Sequence, residues 1–241
     1  MGTSPNRRGD SNDVQPACGP GSACAVGNEF GERAARHDLQ AYRRSGPDRT
    51  TRWLIDGLRS GGAKAAIGGE SGSVDGLTVL DIGAGVGAVH LELLRSGAAT
   101  AVDVDGSPAY VDLAREEAMR LGLADRITYV GGDFVTLSPT IAPADLVALD
   151  RVVCCYPDMS TLVRLSVARA RRRYGLVYPR DRSWIRLGGA VMNGLSRIAR
   201  RRVRFHVHRT ADVDAIVRAA AFVPVVSRTT WFWQVVVYER A

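Results

Sequence analysis

The sequence predicts an α/β fold: a doubly wound, largely parallel sheet with helices on both faces, preceded by N-terminal helices. Three observations carry this prediction. From Leu77 onward, apolar strand-like runs alternate with helical stretches. The run Val79-Leu80-Asp81-Ile82 leads into Gly83-Ala84-Gly85-Val86-Gly87, three alternating glycines that open a helix. A second run, Ala99-Thr100-Ala101-Val102, ends in Asp103, sixteen residues beyond Gly87. Glycines so placed let the chain turn tightly and bring bare backbone against a nucleotide-like ligand, while the helix start beyond them offers unpaired N–H groups. A carboxylate at Asp103 is then placed to take both hydroxyls of a ribose.

Residues 1–28 are rich in Gly, Pro, Ser and Asn and almost free of bulky apolar side chains. Burial there cannot offset the entropy of ordering, so a disordered tail is expected. A helical pattern begins near Glu29, runs through His37, Leu39 and Tyr42, and breaks at Ser45-Gly46-Pro47. It resumes from Asp48, a side chain suited to N-capping, through Trp53, Leu54 and Leu58. Glycines across 61–76 read as a flexible linker, so 29–76 forms N-terminal helices plus linker ahead of a domain over 77–241. Within that domain helices are expected over 88–96, 108–122 and 158–173, and a fifth strand over 175–178. An inserted stretch spans 182–204. The last helix follows Thr210 and buries Val213, Ile216, Val217 and Ala220, and strands over 222–226 and 231–238 close the chain.

With 241 residues and 46% apolar content, the chain can bury one substantial core. No stretch approaches eighteen uninterrupted apolar residues and the first 26 residues lack the apolar middle of a signal peptide, which predicts a soluble cytoplasmic protein. Cys18, Cys24, Cys154 and Cys155 do not make a disulfide framework in a chain of this length, and reduced thiols are expected. Neither Cys18-x5-Cys24 nor the His206, His208 pair has the further ligands a metal needs, so no metal is expected. The formal charge of +7 is regional: between Arg164 and Arg209 stand fourteen arginines and one acid, Asp181, which leaves the remainder at −6. Nucleic acid, a membrane surface or an acidic substrate could each exploit that region. The single lysine, Lys64, against thirty-one arginines is also what a GC-rich coding sequence produces.

The two strand-and-acid units resemble the class I S-adenosylmethionine (SAM) methyltransferases, whose first motif reads hydrophobic-Leu-Asp/Glu-hydrophobic-Gly-x-Gly-x-Gly. A third motif fits as well, because strand-like Ile127-Thr128-Tyr129-Val130 is followed by Gly132-Asp133-Phe134. The resemblance implies a Rossmann-like seven-stranded sheet of order 3-2-1-4-5-7-6 with strand 7 antiparallel, and SAM as cofactor. It places Asp81 near the methionine amino end, and Gly83, Ala84, Gly85 and Gly87 behind the ligand. Asp103 with Val104 falls at the ribose, Asp133 with Phe134 at the adenine, and Asp150 at the end of the fourth strand. A dinucleotide site competes, since Gly83 to Ala88 also satisfies G-x-G-x-x-G/A with Asp103 twenty residues on. Asp81 before the loop, Gly-Asp-Phe after strand three and the long preceding segment favour SAM.

Residues beyond strand four should meet the substrate. Here Asp150-Arg151-Val152-Val153-Cys154-Cys155-Tyr156-Pro157 resembles the magnesium-protoporphyrin O-methyltransferase branch, where an apolar run leads into His-Tyr-Pro. Cys155 stands where that histidine would be, which removes an obvious general base. The Asn/Asp-Pro-Pro-Tyr/Phe and Pro-Cys signatures of nucleic-acid methyltransferases are absent, so nucleic acid is disfavoured. In the insertion, Trp184, Leu187, Val191, Leu195 and Ile198 share one helical face. That face is expected to pack on the sheet edge, with a lid over the substrate or a peripheral membrane contact as the functional alternatives; membrane contact is not favoured. The resembled branch covers its SAM pocket with the N-terminal region and supplies a tyrosine from it. The expected catalytic set is therefore Tyr42, His37 and Tyr156. The reaction expected is O-methylation of a small, hydrophobic or anionic acceptor. A carboxylate acceptor would be positioned by arginines such as Arg151 or Arg180, and a hydroxyl would be deprotonated by Tyr42 or His37. An NAD(P)-binding oxidoreductase and a non-catalytic SAM-binding protein are the alternatives.

Overall fold

The computed structural model describes residues 31–61, 73–198 and 204–241. The expected tail over 1–28 and most of the glycine-rich linker lie outside the described residues.

Two helices come first, α1 (Glu32–Ser45) and α2 (Arg49–Ser60). Asp48 caps α2 by accepting from the Thr50 and Thr51 amides. There follow β1 (Thr78–Ile82), α3 (Ala88–Arg95), β2 (Thr100–Asp105), α4 (Pro108–Arg120), β3 (Ile127–Gly131), the short α5 (Phe134–Leu137) and β4 (Ala144–Asp150). The second half holds α6 (Met159–Val167), β5 (Ala170–Pro179), α7 (Ser183–Ile198), α8 (Thr210–Ala219), β6 (Phe222–Thr229) and β7 (Trp233–Arg240).

All seven strands join one sheet of order β3-β2-β1-β4-β5-β7-β6, parallel except for β7, which runs antiparallel to both β5 and β6. The order reverses between β1 and β4, and at that switch point the strand ends open a crevice. Strand alternation sorts the side chains. Val79, Leu146, Ala148, Val177, Val235 and Val237 join the core beneath α1 to α4, while Leu80, Val147, Leu149, Leu176 and Tyr238 join the core beneath α6 and α8. Central strands therefore read as near-continuous apolar runs.

Helix α2 lies against β5 and β7 through two glycines. A Cβ on Gly175 would come within 2.4 Å of Leu54 Cδ1, and one on Gly57 within 2.7 Å of Val237 Cγ2. This close approach makes the N-terminal helices a layer of the domain and brings the start of α2 to the end of β4.

Two expectations need correction. Helix α6 ends at Val167 and β5 begins at Ala170, so Arg171, Arg172 and Arg173 are strand residues and not the end of a helix. Pairing with β7 overrides their helical propensity. Arg173 stands opposite Glu239 and donates to the Leu58 and Arg59 carbonyls. The second strand continues past Asp103 to Asp105, which shifts the strand-end acid by two residues.

Candidate functional site

Gly83, Gly85 and Gly87 all adopt positive φ, at 65°, 59° and 83°. Their surroundings differ. A Cβ on Gly83 would lie 2.5 Å from Val152 Cγ2, and one on Gly87 would lie 2.7 Å from the His90 ring. These two glycines let the loop close on the protein itself. On Gly85 the nearest atom would be a Tyr110 ring carbon at 3.8 Å, so this glycine faces open space. Tyr110 forms one wall and donates through its hydroxyl to Asp38 Oδ2 at 2.6 Å, which brings α1 to the rim.

Asp105 closes the loop from below. Its Oδ2 accepts from Gly85 N at 2.9 Å and its Oδ1 from Ser107 N at 2.8 Å. Asp103, expected at the ribose, is fully buried and pairs in register with Asp81 on β1. His90 lies between them, its Nδ1 3.0 Å from Asp81 Oδ2 and its Nε2 3.9 Å from Asp103 Oδ2. Burial pushes the Asp103 carboxyl up to about 8, against the pull of His90. On His90 burial opposes charge, but the hydrogen bond to Asp81 and the charges of Asp103 and Asp81 outweigh it and raise its pKa. Asp81 also accepts from the His90 amide. It thus ties the first turn of α3 to β1 instead of facing the crevice. Val104, between the two acids, is buried in the core.

Asp133 caps α5, accepting from the Val135 and Thr136 amides, and receives the Tyr156 hydroxyl at 3.2 and 3.3 Å. This joins an expected adenine-side acid to an expected catalytic tyrosine. Burial and the Asp133 charge raise the Tyr156 pKa, so the phenol stays protonated. The Phe134 ring is buried in the core beneath α6 and leaves only its backbone to border a ligand.

Asp150 ends β4 two residues beyond Ala148, the partner of Asp81, and so stands level with Gly83. Its Oδ2 accepts from Thr51 Oγ1, while its buried Oδ1, 3.6 Å from Arg151 Nε, accepts no hydrogen bond. Burial pushes this carboxyl up to about 6, opposed by Arg151. Arg151 holds positive φ, 62°, and directs its guanidinium to Asp48 and the Thr50 and Thr51 hydroxyls. Arg180 donates to the Thr230 carbonyl. Both arginines expected to position an acceptor carboxylate are engaged in locking the fold.

The N-terminal catalytic candidates also fall elsewhere. Tyr42 is buried and donates to Glu92 Oε1 at 2.8 Å, on α3 five residues beyond Gly87. Burial first, then this carboxylate, drives its pKa up. His37 is exposed and lies against its neighbour Asp38. Sequence reasoning passed over Asp38, Tyr110 and Asp105. The first two carry no motif, whereas Asp105 had one signal: Gly106-Ser107-Pro108 places the strand end and helix start directly after it.

Around the turn after β4, Cys154 is buried and donates to the Arg151 carbonyl, with the Cys155 sulfur 3.9 Å away; both are free thiols. The shared hydrogen bond and burial push the Cys154 thiol up. The segment leading into α8 docks on this turn, His206 N donating to the Cys154 carbonyl and His208 Nε2 lying 3.1 Å from the Tyr156 carbonyl. The two imidazoles stack at 5.7 Å. Burial lowers both pKa values, aided on His206 by the neighbouring His208 and Arg204 charges. Among the described residues, no group of three His, Cys, Asp or Glu is placed to hold a metal ion, and no helix is long and apolar enough to cross a membrane.

A family model described as a methyltransferase domain matches residues 79–173, the half of the sheet that builds this crevice. Residues 79–173 thus match a methyltransferase domain. Over 91 residues the chain is 36% identical to ribosomal protein L11 methyltransferase of Enterobacter sp. (strain 638), covering 37% of this chain and 30% of that protein. Over 118 residues it is 28% identical to a ribosomal protein arginine N-methyltransferase of Schizosaccharomyces pombe, covering 49% and 22%. It thus spans less than a third of the length of either relative. Its fold matches magnesium protoporphyrin IX methyltransferase from Synechocystis PCC 6803 with bound S-adenosylhomocysteine, at TM-score 0.64 and 20% identity, over 90% of this chain and 98% of that one. The domain match sets aside the dinucleotide reading of the glycine loop.

Proposed function

We propose that the protein is a SAM-dependent methyltransferase that acts on a small-molecule acceptor, with O-methylation as its reaction. The observation that carries this reading is the open face of Gly85 between Tyr110 and Asp105, at the switch point of the sheet. When bound, SAM supplies a methyl group on a positively charged sulfur, so the protein needs no nucleophile of its own. The site residues fit such a group. Gly85 presents backbone without a side chain, and Asp105 at the strand end takes the ribose role first expected of Asp103. Asp150 Oδ1, which accepts no hydrogen bond, is an acceptor suited to the methionine ammonium. Asp133 borders the adenine end, and the Tyr156 hydroxyl donates to it from the turn after β4.

What remains is to align the acceptor with the methyl group and exclude water. The turn 152–156 and the docked 204–209 segment form the acceptor side. A carboxylate acceptor is already ionised at neutral pH. For a hydroxyl acceptor, His206 supplies the base, since its lowered pKa keeps the imidazole neutral. The small-molecule reading is supported by the absence of a base-binding Asn/Asp-Pro-Pro signature after β4, and by a fold match over 90% of the chain to a methyltransferase with a tetrapyrrole in its name.

The test is calorimetry with SAM, S-adenosylhomocysteine and NADH, followed by incubation with methyl-labelled SAM and separate small-molecule, ribosomal-protein and RNA fractions. Binding of the first two ligands and label in the small-molecule fraction is expected. Label confined to protein or RNA would overturn the acceptor class; tight NADH binding without SAM binding would overturn the cofactor assignment.

A further inference from the structure

The apolar face of α7 points away from the protein. Trp184 is 47% exposed, Leu187 67%, Val191 57%, Leu195 63% and Ile198 82%, all along one stripe at helical spacing. This corrects the expectation that the stripe packs on the sheet edge. The side that docks is the opposite one. Ile185 and Gly189 are buried, a Cβ on Gly189 would lie 3.1 Å from the Phe205 ring, and the Asn193 amide makes two hydrogen bonds to the Phe205 backbone, each 2.7 Å. The helix is therefore fixed with its stripe outward. Trp231, 73% exposed in the β6–β7 turn, stacks on Trp184 at 5.2 Å and extends the stripe.

We propose that this face seats the protein on an anionic membrane surface. A helix with one apolar and one basic side lies in the interface with its apolar face sunk about 5–10 Å into the boundary between headgroups and acyl chains. Sixteen residues give α7 a run of about 24 Å along such a surface. Paired tryptophans at one end suit the headgroup level, where an amphipathic ring meets both phases.

The charge complements this occupant. Helix α7 carries Arg186 and Arg197, and directly after Ile198 the chain reads Ala-Arg-Arg-Arg-Val-Arg. The only acid between Arg180 and Arg209 is Asp181, paired to Arg186. Anionic headgroups attract such a cluster, and the long arginine stems can snorkel while the stripe is immersed. A second copy of the chain is a poorer occupant, because a two-fold contact on the stripe would bring two arginine clusters together. The chain's own residues 1–30 and 62–72 supply only Met1, Val14, Val26, Phe30 and Ile67 as large apolar side chains, too scattered to cover a continuous stripe.

The experiment is vesicle flotation of the full chain at about 150 mM salt, a screening length near 8 Å, with phosphatidylcholine alone or with about 30% phosphatidylserine. Flotation with the anionic vesicles only is expected, with a blue shift of tryptophan emission that W184F/W231F abolishes. The double variant L187E/L195E should lower partitioning at least about tenfold while its circular dichroism and SAM binding stay unchanged, since both side chains are solvent-exposed. Should that variant fail to fold, quenching of wild-type tryptophan by brominated acyl chains decides, and no quenching overturns the proposal. It is also overturned if wild-type protein stays unbound, if L187E/L195E floats like wild type, or if the wild type is a dimer that L187E/L195E dissociates.

Discussion

Asp105 Oδ2 accepts the Gly85 amide at 2.9 Å, so the acid at the end of β2 and the one glycine of the loop 83–87 that faces open space form a single unit. A ribose held by Asp105 would therefore rest against Gly85. Asp105→Ala is expected to weaken SAM binding by about 1.5–3 kcal/mol, the scale of a charge-assisted hydrogen bond plus disturbance of the loop. Asp103→Asn should change SAM affinity by less than about threefold, because that carboxyl is sealed beneath the sheet surface and reaches no ligand. Calorimetry on the two variants decides: a loss confined to Asp103→Asn would return the ribose to Asp103.

The three loop glycines should separate in the same way. Gly85→Ala meets no protein atom within 3.8 Å, so its cost to folding is backbone strain at φ 59°, about 1–2 kcal/mol. Its effect on SAM binding should be larger, since the added methyl projects into the ligand's space. Gly83→Ala and Gly87→Ala collide with Val152 and His90 and should lower the thermal midpoint more than Gly85→Ala does. Equal melting of all three variants, with normal SAM binding by Gly85→Ala, would show that the cradle lies elsewhere.

The α/β class, the paired N-terminal helices and the glycine loop were legible in the sequence because each leaves a local mark: alternating strands and helices, Asp48 before a helix, three glycines after an apolar strand; the strand order came with the family resemblance. What was not legible depends on contacts between distant residues. Asp103 and Asp105 look alike in a strand, and only the register with Asp81 and the position of His90 show which is buried. Tyr42 looks like a base until Glu92, fifty residues away, is found on its hydroxyl. Arg151 looks like a substrate ligand until the start of α2 is seen against it. The α7 stripe has the periodicity of a packed helix, and periodicity does not say whether the other side has already docked.

Asp150 gives a pH dependence to cofactor binding. Its carboxyl is pushed up to about 6 by burial, so it loses its charge below that pH and no longer attracts an ammonium group. SAM affinity should fall as pH drops through about 6, and Asp150→Asn should bind weakly with that step removed. Titrations between about pH 5 and 8 check this. An unchanged step in Asp150→Asn would assign it to another group.

The Asp81–His90–Asp103 cluster ties folding stability to pH. Asp103 has its pKa raised from 3.8 to about 8, so the folded state retains a proton that the unfolded state releases above about pH 4. Stability from this group is complete in acid and declines as pH rises through about 8. His90, raised from 6.5, acts in the same direction: its contribution is complete below 6.5 and disappears as pH passes its folded value. The thermal midpoint is expected to fall between about pH 4 and 8, and Asp103→Asn should flatten that decline while keeping the native circular dichroism. A midpoint that rises over this range would contradict the protonation assigned to the cluster.

The choice between His206 and Tyr42 separates two accounts of the chemistry. If the acceptor is a hydroxyl, His206→Gln should cut kcat by about 10²- to 10⁴-fold, the range of a general base, and remove the acid limb of the pH profile. SAM affinity should be unaffected, because the backbone amide of His206 docks on the Cys154 carbonyl and its imidazole stacks on His208, on the acceptor side. Tyr42→Phe should leave kcat near wild type and cost about 1 kcal/mol of stability, since it removes only the hydrogen bond to Glu92, which keeps Arg95 as a partner. With a carboxylate acceptor neither variant changes the acid limb, because no proton is removed by the enzyme. Loss of turnover in Tyr42→Phe with His206→Gln active would reinstate the N-terminal tyrosine, and would require α1 to shift so that its hydroxyl leaves Glu92.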